Sequence, residues 1–304
     1  MTRSGSNYVI YSKGDGSWAN DSIKPVLKSY HEAPSKVQRQ LGRMKHNGQD
    51  DITIGLWFQP LTGGEWEFHV IDSSEGRLPL QQRRNLRHLL EDIRETGFNQ
   101  LHIRFMQQEA ADPINWTEWN ELQYRQNLAF IKSVRLITET NKGNLKVIYD
   151  LGAELAGLGI YQHIPFGTQY CQRLWQDYVT TYGAGDSCAF SLSTAGNAAV
   201  AVQRLNKLLE TLPRPFVYFI DCYSNHFLVF KAVHDALSAK NEGRKPIYLQ
   251  ECYYNDPATG TVMAQVKGIA GFNFAGIFQW PCENGQPGPA SVNFTPDFNH
   301  YVAL

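Results

Sequence analysis

The sequence has no excess charge of either sign: 28 Lys and Arg stand against 29 Asp and Glu, a net charge of −1. Such a balance supplies no long-range field to draw in nucleic acid or an anionic membrane, so neither is expected as a partner. No apolar run approaches the roughly 20 residues that a membrane-spanning helix needs. Met1 to Asp21 is polar and rich in Gly and Ser, without the apolar stretch of a signal peptide. The chain as it stands reads as soluble: cytoplasmic or virion-associated, or secreted or periplasmic if it has been trimmed. Oligomeric state leaves no mark on the sequence. Cysteine is sparse. Cys171, Cys188, Cys222, Cys252 and Cys282 are odd in number and form no CxxC pair, which argues against a zinc ribbon or a disulfide framework. Free, half-buried thiols are expected, with Cys222 and Cys252 as the alternative pairing.

Other chemistries are excluded in the same way. No G-x-G-x-x-G or Walker A stretch opens a nucleotide site. No His-x-His pair starts a metal-dependent hydrolase, and His31, His102 and His226 are isolated, as surface or hydrogen-bonded histidines are. Lys146 and Lys245 stand at strand beginnings, the wrong end for a Schiff base. No cofactor and no metal is expected.

What the chain does contain is rhythm. Short β-rich runs alternate with amphipathic helical stretches. The runs are Pro25 to Tyr30, Ile52 to Phe58, Gln100 to Phe105, Leu145 to Tyr149, Cys188 to Leu192, Phe216 to Cys222, Pro246 to Cys252 and Gly276 to Trp280. Between them, apolar residues recur at helical spacing. Examples are Val37, Leu41 and Met44 behind an N-cap at Ser35, Leu86, Leu89, Leu90 and Ile93 before Gly97, and Leu122, Leu128, Ile131 and Ile137 before Gly143. Near-continuous apolar strands suit parallel pairing covered on both faces. Eight such units over roughly 250 residues are the size of a closed (β/α)8 TIM barrel. The expectation is an α/β chain with an N-terminal extension over residues 1–24 and a single barrel domain over residues 25–304. An open doubly wound sheet is the structural alternative.

In such a barrel, chemistry gathers where strands end. The residues delivered there include Tyr30, Trp57, Arg104, Asp150, Glu154, Asp221, Tyr223, Glu251 and Trp280, so carboxylates and aromatics dominate the rim. Paired carboxyls are what glycosidic cleavage needs: one protonates the leaving oxygen, and the other attacks the anomeric carbon or activates water. Glu251 ends the run Ile247-Tyr248-Leu249-Gln250-Glu251 and should be anchored and partly desolvated; its plain structural role would be to pair with a barrel arginine such as Arg104. Glu154 follows Asp150-Leu151-Gly152-Ala153, where Gly152 offers a sharp turn; its plain role would be a helix-starting, solvent-facing glutamate.

On these residues the chain resembles the retaining (β/α)8 glycoside hydrolases called clan A. The resemblance implies that Glu154, after strand four, is the acid/base and that Glu251, ending strand seven, is the nucleophile. It also implies that Trp280 is a platform under the sugar and that Tyr223 neighbours the nucleophile. The family has Asn immediately before the acid/base, and this chain has Ala153, which leaves Asp150 as a competing acid. Tyr30, Trp57, Arg104, Asp150, Asp221, Tyr223 and Trp280 are the expected substrate-side residues, Arg104 and Asp221 lying just behind the carboxyl pair. The partner is then a carbohydrate substrate, a polysaccharide or glycoconjugate. The reading from a different class is a barrel that binds carbohydrate through Trp57, Trp66 and Trp280 without cleaving it, or that serves as a structural module.

Overall fold

The computed structural model describes residues 3–12, 23–61, 69–155, 164–212, 214–285 and 301. Its strands and helices in chain order are β1 (Arg3–Asn7), β2 (Ile10–Ser12), β3 (Ile23–Pro25), α1 (Val26–Ser29), α2 (Pro34–His46), β4 (Asp51–Gln59), β5 (Ile71–Asp72), α3 (Leu80–Thr96), β6 (Gln100–Gln107), α4 (Glu121–Asn141), β7 (Lys146–Asp150) and α5 (Pro165–Tyr182). The second half continues with β8 (Cys188–Ala189), β9 (Ser191–Ser193), α6 (Ala198–Thr211), β10 (Tyr218–Asp221), α7 (His226–Ser238), β11 (Ile247–Cys252), α8 (Pro257–Lys267) and β12 (Phe274–Gln279).

The large sheet runs β8, β7, β6, β4, β1, β12, β11, β10, β9 from neighbour to neighbour, with every pair parallel. Only Phe190 separates β8 from β9, so these two pieces make one strand position and bring the sheet's ends together. The result is the expected (β/α)8 TIM barrel. Helices wrap it because their apolar stripes need a surface to cover. Val37, Leu41 and Met44 of α2 and Leu86, Leu89, Leu90 and Ile93 of α3 are all buried against it. Gly97 ends α3 at φ 89°, a conformation that side chains resist.

Two helical residues expected on buried stripes face outward instead: Leu122 is 68% exposed and Leu228 62%. The α2 cap also differs, since Ala33 precedes Pro34 there and Ser35 lies inside the helix.

The main departure is strand one. Pro25 to Tyr30 is not a strand: β3 ends at Pro25 in a small antiparallel hairpin with β2, and Val26–Ser29 turns into a short helix. The first barrel strand is β1, inside the segment read as an extension, paired to both β12 and β4. Its sequence, Arg-Ser-Gly-Ser-Asn, holds no apolar residue, so hydrophobic periodicity had nothing to detect. Small residues are needed here for space. A Cβ on Gly5 would lie 2.3 Å from the backbone oxygen of Asp51 on the neighbouring strand. Gly5→Ala should therefore destabilise the barrel by roughly 1–3 kcal/mol, as overpacking does; an unchanged urea midpoint would show that β1 can shift freely.

The barrel interior is layered. Ile148, Ala189, Val217, Phe219, Tyr248 and Phe278 fill it as an apolar cluster. His102 sits among them, with ring centroids 4.4 Å from Phe278 and 4.9 Å from Tyr248. Its nitrogens meet Gln250 Oε1 at 2.8 Å and Gln100 Nε2 at 2.7 Å. Burial holds this imidazole down to about 3, so it stays neutral. His31 contacts Asn85, and His226 contacts the carbonyl of Cys222. All five cysteines are free thiols.

Candidate active site

Above the His102 layer, the C-terminal strand ends present one arginine and a set of carboxyls. Arg104 lies on β6, two residues beyond His102 and facing the same side by strand alternation. Its side chain is fully buried, and all five of its N–H groups are taken. Nε donates to Asp150 Oδ2 at 2.9 Å, and Nη1 donates to Glu251 Oε1 and to Asn7 Oδ1, the latter at 3.4 Å. Nη2 donates to Ser191 Oγ at 3.2 Å and to Asp221 Oδ2 at 3.1 Å. Five strand positions besides its own thus converge on a single guanidinium.

Each carboxyl has a different environment. Asp150 is acceptor-saturated: Oδ1 takes the backbone N–H groups of Ser191 at 3.0 Å and Gly152 at 3.3 Å, and Oδ2 takes Arg104. Burial raises its affinity for a proton, while Arg104 and Ser191 oppose that. With both oxygens committed to groups of the protein, Asp150 has none to offer a substrate and acts as a clamp on Arg104. Glu251 ends β11 and receives Arg104 on Oε1 and the Tyr223 hydroxyl on Oε2 at 2.6 Å. Tyr223 is held far from ionising by burial and by the charge of Glu251, so it remains a donor.

Glu154 stands at the turn after β7. Its backbone is left-handed, φ 57°, and its N–H donates to Ser191 Oγ at 2.6 Å. The turn is therefore made at Glu154 itself. Gly152 serves a different purpose from the one its sequence position suggests: its φ is not positive, and a Cβ there would lie 2.7 Å from Leu155 Cδ2. A non-glycine residue in this region costs about 1–3 kcal/mol, and such strain persists where the surroundings over-determine it. The Glu154 carboxyl is raised above its ordinary range, first by burial and then by the charge of Glu251, against the pull of the Ser193 hydroxyl.

One carboxylate oxygen from each of Glu154, Asp221 and Glu251 lies within 4.8 Å of the other two. Among the described residues no other set of carboxylates, histidines or cysteines converges closely enough to share a cation. Arg104 already supplies positive charge to two of the three, so the group is arranged to share protons rather than to ligate an ion.

Of the expected site residues, Arg104, Asp150, Glu154, Asp221, Tyr223 and Glu251 are brought into one cluster. Trp57 is half-buried on β4 opposite Met106 of β6, two residues along from the Gly55–Arg104 pair, so it faces the same mouth. Trp280 follows β12, is half-buried and packs against the core. Tyr30 is not there. It is buried in the helical layer, stacked on His88 with its hydroxyl 2.5 Å from Asp92, because the segment that carries it is helical and not a barrel strand. Trp66 lies outside the described residues. The sequence reading missed Asn7, whose Nδ2 donates to the Gln250 carbonyl at 2.7 Å while Oδ1 meets Arg104. Beside Tyr223, a cavity of about 390 Å³ opens between the starts of α7 and α8, lined among others by Ser224, Phe227, Leu228, Asp256 and Asn284.

No family model matches the sequence, and no curated relative does. Solved structures do match the fold. An exo-β-1,4-mannosidase from Opitutaceae bacterium strain TAV5 superposes over 98% of this chain with a TM-score of 0.59 and 14% identity. The chain spans 55% of that protein's length. A GH5_18 protein from Bifidobacterium longum subsp. infantis gives a TM-score of 0.64 at 11% identity, over 97% of this chain and 74% of its own. A GH113 β-1,4-mannanase gives 0.56 at 10% identity, over 92% and 87%. What this chain shares with them is the architecture, a (β/α)8 barrel.

Proposed function

We propose that the chain is a retaining glycoside hydrolase in which Glu251 is the nucleophile and Glu154 the acid/base. The observation that carries this reading is the approach of the two carboxyls, with oxygens within 4.8 Å of each other at the ends of strands seven and four. Retaining enzymes hold their pair at about 5–5.5 Å, whereas inverting ones leave about 6.5–9.5 Å for an intervening water.

The electrostatics support a division of roles. Glu251 accepts from Arg104 and Tyr223, and the two bonds fix the orientation of its carboxylate for attack. Glu154 is pushed towards its protonated form by burial and by the charge of that carboxylate. In the first step, Glu251 would bond to the anomeric carbon as the glycosidic C–O bond breaks and the Glu154 proton moves to the leaving oxygen. The ester so formed is neutral, which removes one of the two causes that raise Glu154. Its affinity for a proton falls, and it can then accept one from the water that displaces Glu251. Trp57 and Trp280, half-exposed at the mouth, would offer faces to sugar C–H groups. Since the similar proteins named above include a β-1,4-mannosidase and a β-1,4-mannanase, β-1,4-linked mannosides and glucosides are the substrates of first choice.

The test is a panel of β-mannan, glucomannan and β-glucan, with Glu251→Gln as control. Wild type should release reducing ends from at least one, and Glu251→Gln from none; binding without cleavage by wild type would support the carbohydrate-binding module instead. On the cleaved substrate, kcat/KM should fall as pH rises through the raised pKa of Glu154, because a deprotonated Glu154 cannot protonate the leaving group. An alkaline limb that survives in Glu154→Gln would reject that assignment.

A further inference from the structure

Of the three carboxyls that Arg104 touches, Asp221 is the one with an oxygen left over. Its side chain has no solvent exposure, Oδ2 is taken by Arg104, and Oδ1 has no hydrogen-bond partner among the described residues. A buried carboxyl oxygen without a partner is costly, so a bound molecule is the natural source of one. The groups facing it are Arg104, Asp150, Glu154 and Glu251, with the Tyr223 hydroxyl adjoining Glu251. Three carboxyls share the single charge of Arg104. Asp150 accepts on both oxygens, and so does Glu251. Asp221 alone has a free oxygen on which to carry a proton. Burial and the charges of Glu251 and Glu154 push it in that direction.

We propose that Asp221 is a substrate-binding residue that hydrogen-bonds, through its free Oδ1, the hydroxyl on the sugar carbon next to the anomeric centre. The proposal rests on the glycosidase reading and adds the group that reads this hydroxyl. The placement argues for it, since a carboxyl oxygen of Asp221 lies within 4.8 Å of both Glu154 and Glu251. A sugar carbon attacked by Glu251 under Glu154 carries only three polar neighbours: the leaving oxygen, the ring oxygen and the 2-hydroxyl. Glu154 serves the first. The ring oxygen becomes electron-poor as the oxocarbenium-like transition state forms, which makes it a poor acceptor. The 2-hydroxyl is left, and hydrogen bonds to it strengthen in that transition state. The residue before Glu154 is Ala153, whose side chain has no polar atom, and its backbone N–H is bonded to the Phe105 carbonyl at 2.9 Å.

The experiment compares wild type, Asp221→Ala and Asp221→Asn on para-nitrophenyl β-D-mannopyranoside and β-D-glucopyranoside, and on the 2-deoxy glycoside that both sugars share. Asp221→Ala should lower kcat/KM on the better parent glycoside on the order of 10²-fold, the scale of losing one preorganised hydrogen-bonding group. On the 2-deoxy substrate, which lacks the partner, the same change should cost little. Asp221→Asn matches the shape of a protonated Asp, keeps a donor and should recover most of the loss; it also controls for folding, since it leaves the packing unchanged. Equal losses on parent and 2-deoxy substrates, or an Asn variant as impaired as the Ala variant, would overturn the assignment and leave the glycosidase reading standing. Wild type inert on every aryl glycoside and polysaccharide would overturn both.

Discussion

Glu251→Ala should abolish turnover, on the order of 10⁶-fold if it behaves as other lost nucleophiles do, and no activated leaving group should rescue it. The cause is specific. Without the carboxylate, no glycosyl-enzyme can form, and Arg104 and Tyr223 lose the group they hold in place. Added azide can enter the vacated space and attack the anomeric carbon directly, giving a glycosyl azide of inverted configuration. Glu154→Ala should behave differently. General acid–base assistance contributes about 10²–10⁴-fold, and that loss should shrink on a substrate whose leaving group departs without a proton. The glycosyl-enzyme would then accumulate, and azide should discharge it with net retention, because two inversions have occurred. Product configuration by NMR checks both. Asp150→Asn is expected to resemble neither variant: Asp150 is sequestered under Arg104 with both oxygens occupied, so its change should act through the position of Arg104. An Asp150→Asn enzyme that loses only its dependence on leaving-group quality would return the acid role to Asp150.

Arg104→Met should be the most destabilising single change in the barrel. Arg104 touches Asp150, Asp221 and Glu251 with a side chain fully removed from solvent. Removing one partner of a buried charged group costs about 3–5 kcal/mol, because the remaining charges are left uncompensated. The effect has a pH signature. Asp150 and Asp221 are already raised in the folded protein by burial. Without the guanidinium they would rise further. A carboxyl whose folded pKa exceeds its unfolded value contributes stability below the unfolded pKa and loses it as pH climbs through the folded one. The gap between Arg104→Met and wild type should therefore narrow as pH falls and these carboxyls protonate, and widen as pH rises through their raised folded values. Urea denaturation at several pH values measures it, and a gap independent of pH would mean that the loss is one of packing and not of charge. Arg104→Lys should recover only part of the deficit, since three donors on a flexible stem cannot meet five acceptors from five other strand positions.

Much of this protein follows from local sequence, and the physical reason is periodicity. Seven of the eight barrel strands carry apolar runs, and helices such as Leu80–Thr96 carry a one-sided stripe, so fold class and strand ends were legible. With the strand ends came the rim residues Glu154, Glu251, Arg104 and Tyr223, because a strand that stops at a polar residue delivers it to the mouth. Strand one escaped because Arg3–Asn7 is polar and small, selected for close backbone approach at Gly5 and for the hydrogen bonds of Asn7. That error moved Tyr30 to a rim it does not occupy.

Sequence by itself determined the barrel and, apart from Asn7 and Tyr30, the polar side chains gathered around Arg104. Only the tertiary structure decided what each carboxyl can do there. Asp150, Asp221, Glu154 and Glu251 are alike as residues in a chain. Their differences lie in how many donors reach each one, how far each is buried, and which of them share the single charge of Arg104. Those quantities depend on strands far apart in the chain, 243 positions in the contact between Asn7 and Gln250, and no local pattern encodes them.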